Sequence, residues 1–208
     1  MSQPPIMYFV ATGSRLAGQH PQLGVITSPR SSISAGVREG RPWIADCDIF
    51  SKDGYSQDAY FTHLERMAPW RKACRFIVVP DCPGDGEGTL HGYYAMAEML
   101  APLGYPLAYV FQDGAEKLPL PPCDYTFIGG TNDWRMRHAA GLIQRAHDAG
   151  LGCHVGRVNS GKRLAMLAQA GADSADGTYL SYVGVEQGLA DVTRWLQEAN
   201  QPRLLQRS

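Results

Sequence analysis

The chain has 208 residues, 44% of them hydrophobic, and its nineteen basic and twenty acidic side chains leave a formal net charge of -1; it can build a full core but has no global positive field. Overall charge therefore excludes a protein held to nucleic acid along its whole surface, and any such contact needs a local patch. Five scattered cysteines without a CxxC pair, six histidines without a metal-ligand spacing, no long apolar run and no basic-then-apolar start at Met1–Ile6 exclude the usual zinc modules and membrane spans, so the expectation is a cytoplasmic protein with reduced thiols, no metal and no cofactor.

In chain order, the apolar runs at 7–11 (MYFVA) and 23–27 (LGVIT) predict the first two strands. Ser28–Arg41, rich in Ser, Gly and Arg with little apolar periodicity, predicts a long loop, so residues 1–41 read as the irregular part of the chain. From Trp43 onward, strands at 43–48, 76–81, 107–112, 125–130, 152–157 and 174–178 alternate with helices at 56–69, 87–102, 132–149, 160–171 and 186–199. The last helix carries Leu189, Val192, Trp195 and Leu196 at helical spacing. Pro119–Pro122 is a stiff connection and Gln201–Ser208 a frayed tail. Without a repeat or linker, residues 1–208 read as one domain.

Short buried strands separated by helices predict a parallel sheet, and eight of them predict a compact (βα)8 TIM-like barrel with no zinc subdomain; a doubly wound open sheet is the alternative. Against about 250 residues for a typical barrel, helices must be missing or shortened, and the weak periodicity places the loss between the first three strands.

Six of the apolar runs end in an acidic, amide or glycine signal, at Asp46, Asp81, Gln112–Asp113, Gly129–Gly130, Gly156–Arg157 and Asp176–Gly177. In a parallel barrel these ends meet on one rim, the place where such folds keep active sites. Asp46 and Asp176 facing each other suit glycosidic-bond chemistry, one carboxylate attacking the anomeric carbon and the other moving a proton, although acidic residues after strands also cap helices. Asp81, Gln112, Asp113, Gly129 and Gly130 suit recognition of a heterocyclic base through a carboxylate, a primary amide and close backbone approach, or else are ordinary turn residues. Arg157, Lys162 and Arg163 around a helix start, with Asn159 or Ser160 as its N-cap, suit a phosphate seat or a solvated helix face. The glycine spacing does not make a nucleotide P-loop. His154, inside its apolar run, is expected to point between barrel and helices. Trp43, Trp70, Trp134 and Trp195 are expected to pack in the core or between layers, Trp134 standing close enough to the glycine pair to border a pocket instead, while Phe50, Tyr179 and Tyr182 flank the acidic loops and either stack on a base or fill the core.

Taken in order, VVPDCPGDGEGTL (79–90), FQDG (111–114), FIGGTNDW (127–134), GRVNSGKRL (156–164) and ADSADGTYL (172–180) resemble the tRNA-guanine transglycosylase superfamily, above all its compact DNA-acting relatives in 7-deazaguanine modification systems. The resemblance covers residues 43–183 and implies a (βα)8 barrel. It implies that Asp176 is the nucleophile that holds the nucleotide through C1′, that Asp46 is the general acid/base, and that Asp81, Gln112 and Gly130 grip the heterocycle. It further implies that Asp173 supports the Asp176 loop and that Arg157 and Asn159 match a motif of the DNA-acting branch; on the phosphate-seat chemistry above, these two are assigned to sugar-phosphate binding. The family's Cys-rich zinc site has no counterpart after Cys153, and Asp48 stands where a glycine is expected, changing the pocket wall.

The first functional expectation is exchange of guanine in DNA for a free 7-deazaguanine base. The second is a DNA glycosylase in which water completes the reaction and leaves an abasic site, as in defence against invading modified DNA; Asp48, able to accept from an exocyclic amine, favours it. An inactive DNA-binding barrel and a metabolic barrel acting on free nucleosides complete the set. The DNA readings require a flipped, distorted or single-stranded target and a phosphate track drawn from Arg30, Arg38, Arg41, Arg135, Arg137, Arg157, Lys162 and Arg163. The small size and neutral charge are compatible with a dimer or a partner protein that supplies DNA-binding surface.

Overall fold

The computed structural model describes residues 4–11, 16 and 19–201. Eight parallel strands close into a barrel in sequence order: β1 (Met7–Val10), β2 (Leu23–Thr27), β3 (Trp43–Ala45), β4 (Cys74–Val78), β5 (Leu107–Phe111), β6 (Tyr125–Ile128), β7 (Gly152–Val155) and β8 (Ser174–Asp176). Closure is made by β8 pairing with β1, with Phe9 in register with Asp176. The barrel expected from the strand count is the fold observed, and the open sheet is excluded.

Helices α2 (Gln57–Met67), α3 (Gly86–Leu100), α4 (Asn132–Asp148), α5 (Gly161–Ala170) and α7 (Val185–Ala199) follow β3, β4, β6, β7 and β8. Their starts are written locally, because Ser56, Asp85 and Ser160 each accept a bond from the backbone N–H three residues on. Ser160 rather than Asn159 is the cap of α5. On α7 the expected stripe is buried, with Leu189, Val192, Trp195 and Leu196 all facing inward.

Two corrections concern the chain outside these helices. Ser28–Arg41 is not all loop: Ser34 caps a four-residue helix, α1 (Ala35–Arg38), which buries Val37. A short helix unseen in the sequence, α6 (Tyr179–Val183), follows β8. Between β2 and β3 the only described helix is the four-residue α1, so the connection is shortened where the periodicity is weak. The frayed tail expected at Gln201–Ser208 lies, beyond Gln201, outside the described residues.

Aromatic rings fill the barrel interior. Phe76 stacks on Tyr125 at 4.7 Å, and Phe9 packs edge-on to His154. On β2, a Cβ at Gly24 would lie 2.4 Å from the Phe9 ring, so only glycine leaves room for that ring. No helix among the described residues is long and apolar enough to cross a membrane.

Candidate active site at the C-terminal rim

Because all eight strands run parallel, their C-terminal ends share one rim, and a cavity of about 510 Å³, its open mouth included, lies there. Asp46, Ile49 and Phe50 reach it from the loop after β3, Asp81 from the loop after β4, and Gln112 and Gly129 from the ends of β5 and β6; Gly156, Arg157 and Asp176 close the ring. Val78, Val110 and Phe127 supply apolar wall, so a few polar groups converge on a mostly apolar hollow.

Asp46 follows β3 directly, anchored by its N–H to the Thr27 carbonyl. Burial pushes its carboxyl up to about 6; the Asp48 N–H bonded to its Oδ1 at 2.8 Å opposes this, and the carboxylates of Asp176, Asp48 and Asp81 add to it. Asp81 is also raised, mainly by burial, against a bond from Gln112 and the nearby Arg157 charge. Asp176 accepts through Oδ1 from or shares a proton with His154 Nε2 at 2.9 Å, while its Oδ2 has no partner among the described residues.

His154 corrects the sequence reading. It is fully buried, turned into the barrel beneath the cavity among Phe9, Phe76 and Phe127, with Nδ1 2.9 Å from Ser174 Oγ. The signal was the strand period: His154 and the cavity-lining Gly156 are two residues apart and share a face.

Gln112 is fully engaged as a brace. Its Nε2 donates to Asp81 Oδ2, and its Oε1 accepts from the N–H groups of Gly84 and Gly130, both at 2.9 Å. Gly130 has φ 70, and a Cβ there would lie 2.4 Å from the Trp134 ring. Trp134 therefore packs behind the glycine, its Nε1 on Glu116, and does not line the cavity.

Four site residues lie off the cavity. Asp113 spends its carboxylate on the Thr131 N–H and hydroxyl, at 2.7 and 2.6 Å, and so fixes the entry to α4 instead of facing a base. Gly130 borders the site through its backbone, donating to Gln112 and accepting from Arg135 and Arg157. Asn159 donates to Thr178 Oγ1 at 3.3 Å, and its Oδ1 is buried without a partner. Asp48 does not wall the pocket: its carboxylate turns to the Arg30 N–H at 3.3 Å. Its φ of 61 is the left-handed conformation that favours glycine, the physical content of the glycine expected at this position.

Asp173 is a further correction. Its carboxylate takes the Cys153 N–H at 2.7 Å and His147 at 3.0 Å, at the start of β7 and β8, so it braces the opposite end of the barrel from the Asp176 loop. Arg41 is at that end too, with its guanidinium on the carbonyls of Leu16, Gln19, His20 and Leu23. It leaves the phosphate track. Among the aromatics, Phe50 is exposed on the cavity lip with the Arg157 guanidinium 5.3 Å above its ring, Tyr182 is exposed on α6, and Tyr179 packs on Trp195. No group of three or more His, Cys, Asp or Glu side chains among the described residues is gathered to hold a metal ion.

No protein-family model matches the chain, and no curated protein matches it in sequence. Solved structures match in fold. They include RipC from Yersinia pestis (10% identity, 96% of each chain covered, TM-score 0.53) and 3-hexulose-6-phosphate synthase from Salmonella typhimurium (10% identity, 94% of this chain and 100% of that one, TM-score 0.52). A protein from Aquifex aeolicus VF5 matches at 11% identity over 95% of this chain and 92% of its own, with a TM-score of 0.58. At such identities the likeness is one of barrel architecture alone.

Proposed function

We propose that this chain is an enzyme that cleaves the N-glycosidic bond of a nucleotide in DNA, with Asp176 as nucleophile and Asp46 as general acid/base. The observation that carries the reading is the convergence of these two carboxylates on one cavity in different surroundings. Asp46 is half-buried and raised to about 6, suited to proton transfer near neutrality, while Asp176 is held through one oxygen and keeps the other open.

In the proposed reaction Asp176 Oδ2 forms a bond to C1′ as the C1′–N bond breaks, and the electron pair leaves with the base, which takes the proton of Asp46. A free 7-deazaguanine then attacks C1′, gives its proton to the Asp46 carboxylate and releases Asp176. Asp81, braced by the Gln112 amide, faces the base, with Gly129 allowing close approach and Phe50 offering a stacking face. No residue with a metal or cofactor role enters this scheme.

Hydrolysis differs only in the second step, where water replaces the acceptor base. Asp48 was the residue that favoured it, and with its carboxylate turned to Arg30 that support is gone, so exchange is the first reading. The test is incubation of the purified protein with DNA, with and without free 7-deazaguanine, followed by nucleoside mass spectrometry and an assay for abasic sites. Incorporation of the added base into intact DNA is expected. Abasic sites that form without it would replace exchange by hydrolysis, and neither product on any DNA would leave the inactive barrel.

A further inference from the structure

Three arginines meet beside the cavity. The Gly130 carbonyl accepts from Arg135 Nη1 at 3.2 Å and from Arg157 Nη2, and Asn132 Oδ1 accepts from Arg135 Nη2 and Arg163 Nη1, both at 3.3 Å. Two neutral oxygens thus tie three guanidinium groups into one cluster. Among the described residues no carboxylate forms an ion pair with any of them.

Asp81 acts on Arg157, and Asp176 and Asp113 on Arg135, without forming ion pairs, and like charges gathered with no paired carboxylate are unfavourable unless an anion joins them. Asp113, on the loop after β5, is committed to Thr131. The cluster runs from Arg135, buried beneath the Gly129–Gly130 turn, to Arg157, which is exposed and lines the cavity. Arg157 holds a left-handed φ of 59 while its guanidinium reaches both the Gly130 carbonyl and the Phe50 ring. At α4, Thr131 makes no side-chain capping bond, so first-turn N–H groups add positive potential.

We infer that Arg135, Arg157 and Arg163 form a clamp for a phosphate group contiguous with the base cavity. Several planar, forked donors suit a tetrahedral oxyanion, which presents oxygens in several directions. Resting on the glycosyl-transfer reading, the clamp takes the phosphodiester next to the target nucleotide, and so selects a polynucleotide over a free nucleoside. It supplies the local patch that the near-zero net charge demands.

The test measures binding of full-length protein to a fluorescein-labelled single-stranded oligonucleotide across a salt series, for wild type, Arg163→Ala and the Arg157→Ala/Arg163→Ala double variant, each confirmed folded by circular dichroism. Deoxyguanosine and its 5′-monophosphate serve as competitors. The slope of log affinity against log salt is expected to become shallower by about 0.7 for each arginine removed, with only the monophosphate competing. An unchanged slope in the folded double variant overturns the clamp. So does competition by the monophosphate that the double variant loses while its oligonucleotide slope stays unchanged, because the anion would then belong to a free nucleotide. Base release is scored separately on the same DNA: binding that depends on the arginines without any release sinks the glycosyl reading and leaves the clamp standing.

Discussion

Asp46 places a carboxylate where ionisation costs folding energy. Its folded pKa, about 6, lies above an unfolded value of about 3.9, so its contribution to stability is full below the unfolded value and is lost as pH rises through 6. The neutral isostere Asp46→Asn should therefore stabilise the protein at pH 7.5 by on the order of 1–3 kcal/mol, with a smaller gain at pH 4.5, as read from urea denaturation at both values. Equal gains at both would remove the charge as the cause. The same variant should lose about 100-fold or more in rate; in the wild type the protonated acid is the active form, so kcat/KM should fall as pH rises above about 6. His154 acts through Asp176. His154→Gln should lower kcat by about 100-fold with KM little changed and remain faster than His154→Leu, which offers the carboxylate no donor. If the two variants are equally slow, packing rather than positioning is what His154 provides.

At the scale of elements, the site depends on how neighbouring loops are tied. Gln112 joins the loop after β4, through Asp81 and Gly84, to the loop after β6, through Gly130. Gln112→Met keeps the volume but strands two N–H groups and a buried carboxylate, so it should cost at least about 2 kcal/mol in denaturant unfolding; a loss under 0.5 kcal/mol would mean that the loops hold without it. The strands were legible because each is a short buried apolar run, but their ends were not. The run after Trp43 reads as strand to 48 and pairs only to Ala45, and the strand read at 76–81 pairs over Cys74–Val78. Asp46 still donates its N–H to the Thr27 carbonyl of β2, and Asp81 comes two residues after Val79, which bonds to Ala108 of β5, so both stand at the strand ends that the apolar runs marked as rim. Asp113 carries the same local signal, yet its role is decided by Thr131, a partner eighteen residues away that no local pattern encodes. His154 looks like interlayer packing because it sits in an apolar run, although its spacing of two from Gly156 already puts it on the cavity face, beside Asp176.

For the whole molecule, closure of the barrel sets the register that brings Asp46 and Asp176 to one cavity. Gly24→Val would force a Cβ into the Phe9 ring, whose strand pairs with β8, and it should cost about 1–3 kcal/mol in a single cooperative transition; a folded variant of wild-type stability would show that the interior layer adapts freely. A barrel frame hosts many chemistries, so the functional claim stands on the site. Intact-protein mass spectrometry after incubation with DNA, without acceptor base, tests it most directly. The account predicts a mass increase equal to the DNA strand less the released base, which digestion places on the peptide containing Asp176 and which is absent in Asp176→Asn. Base release that continues in Asp176→Asn, with no adduct in either protein, would contradict it.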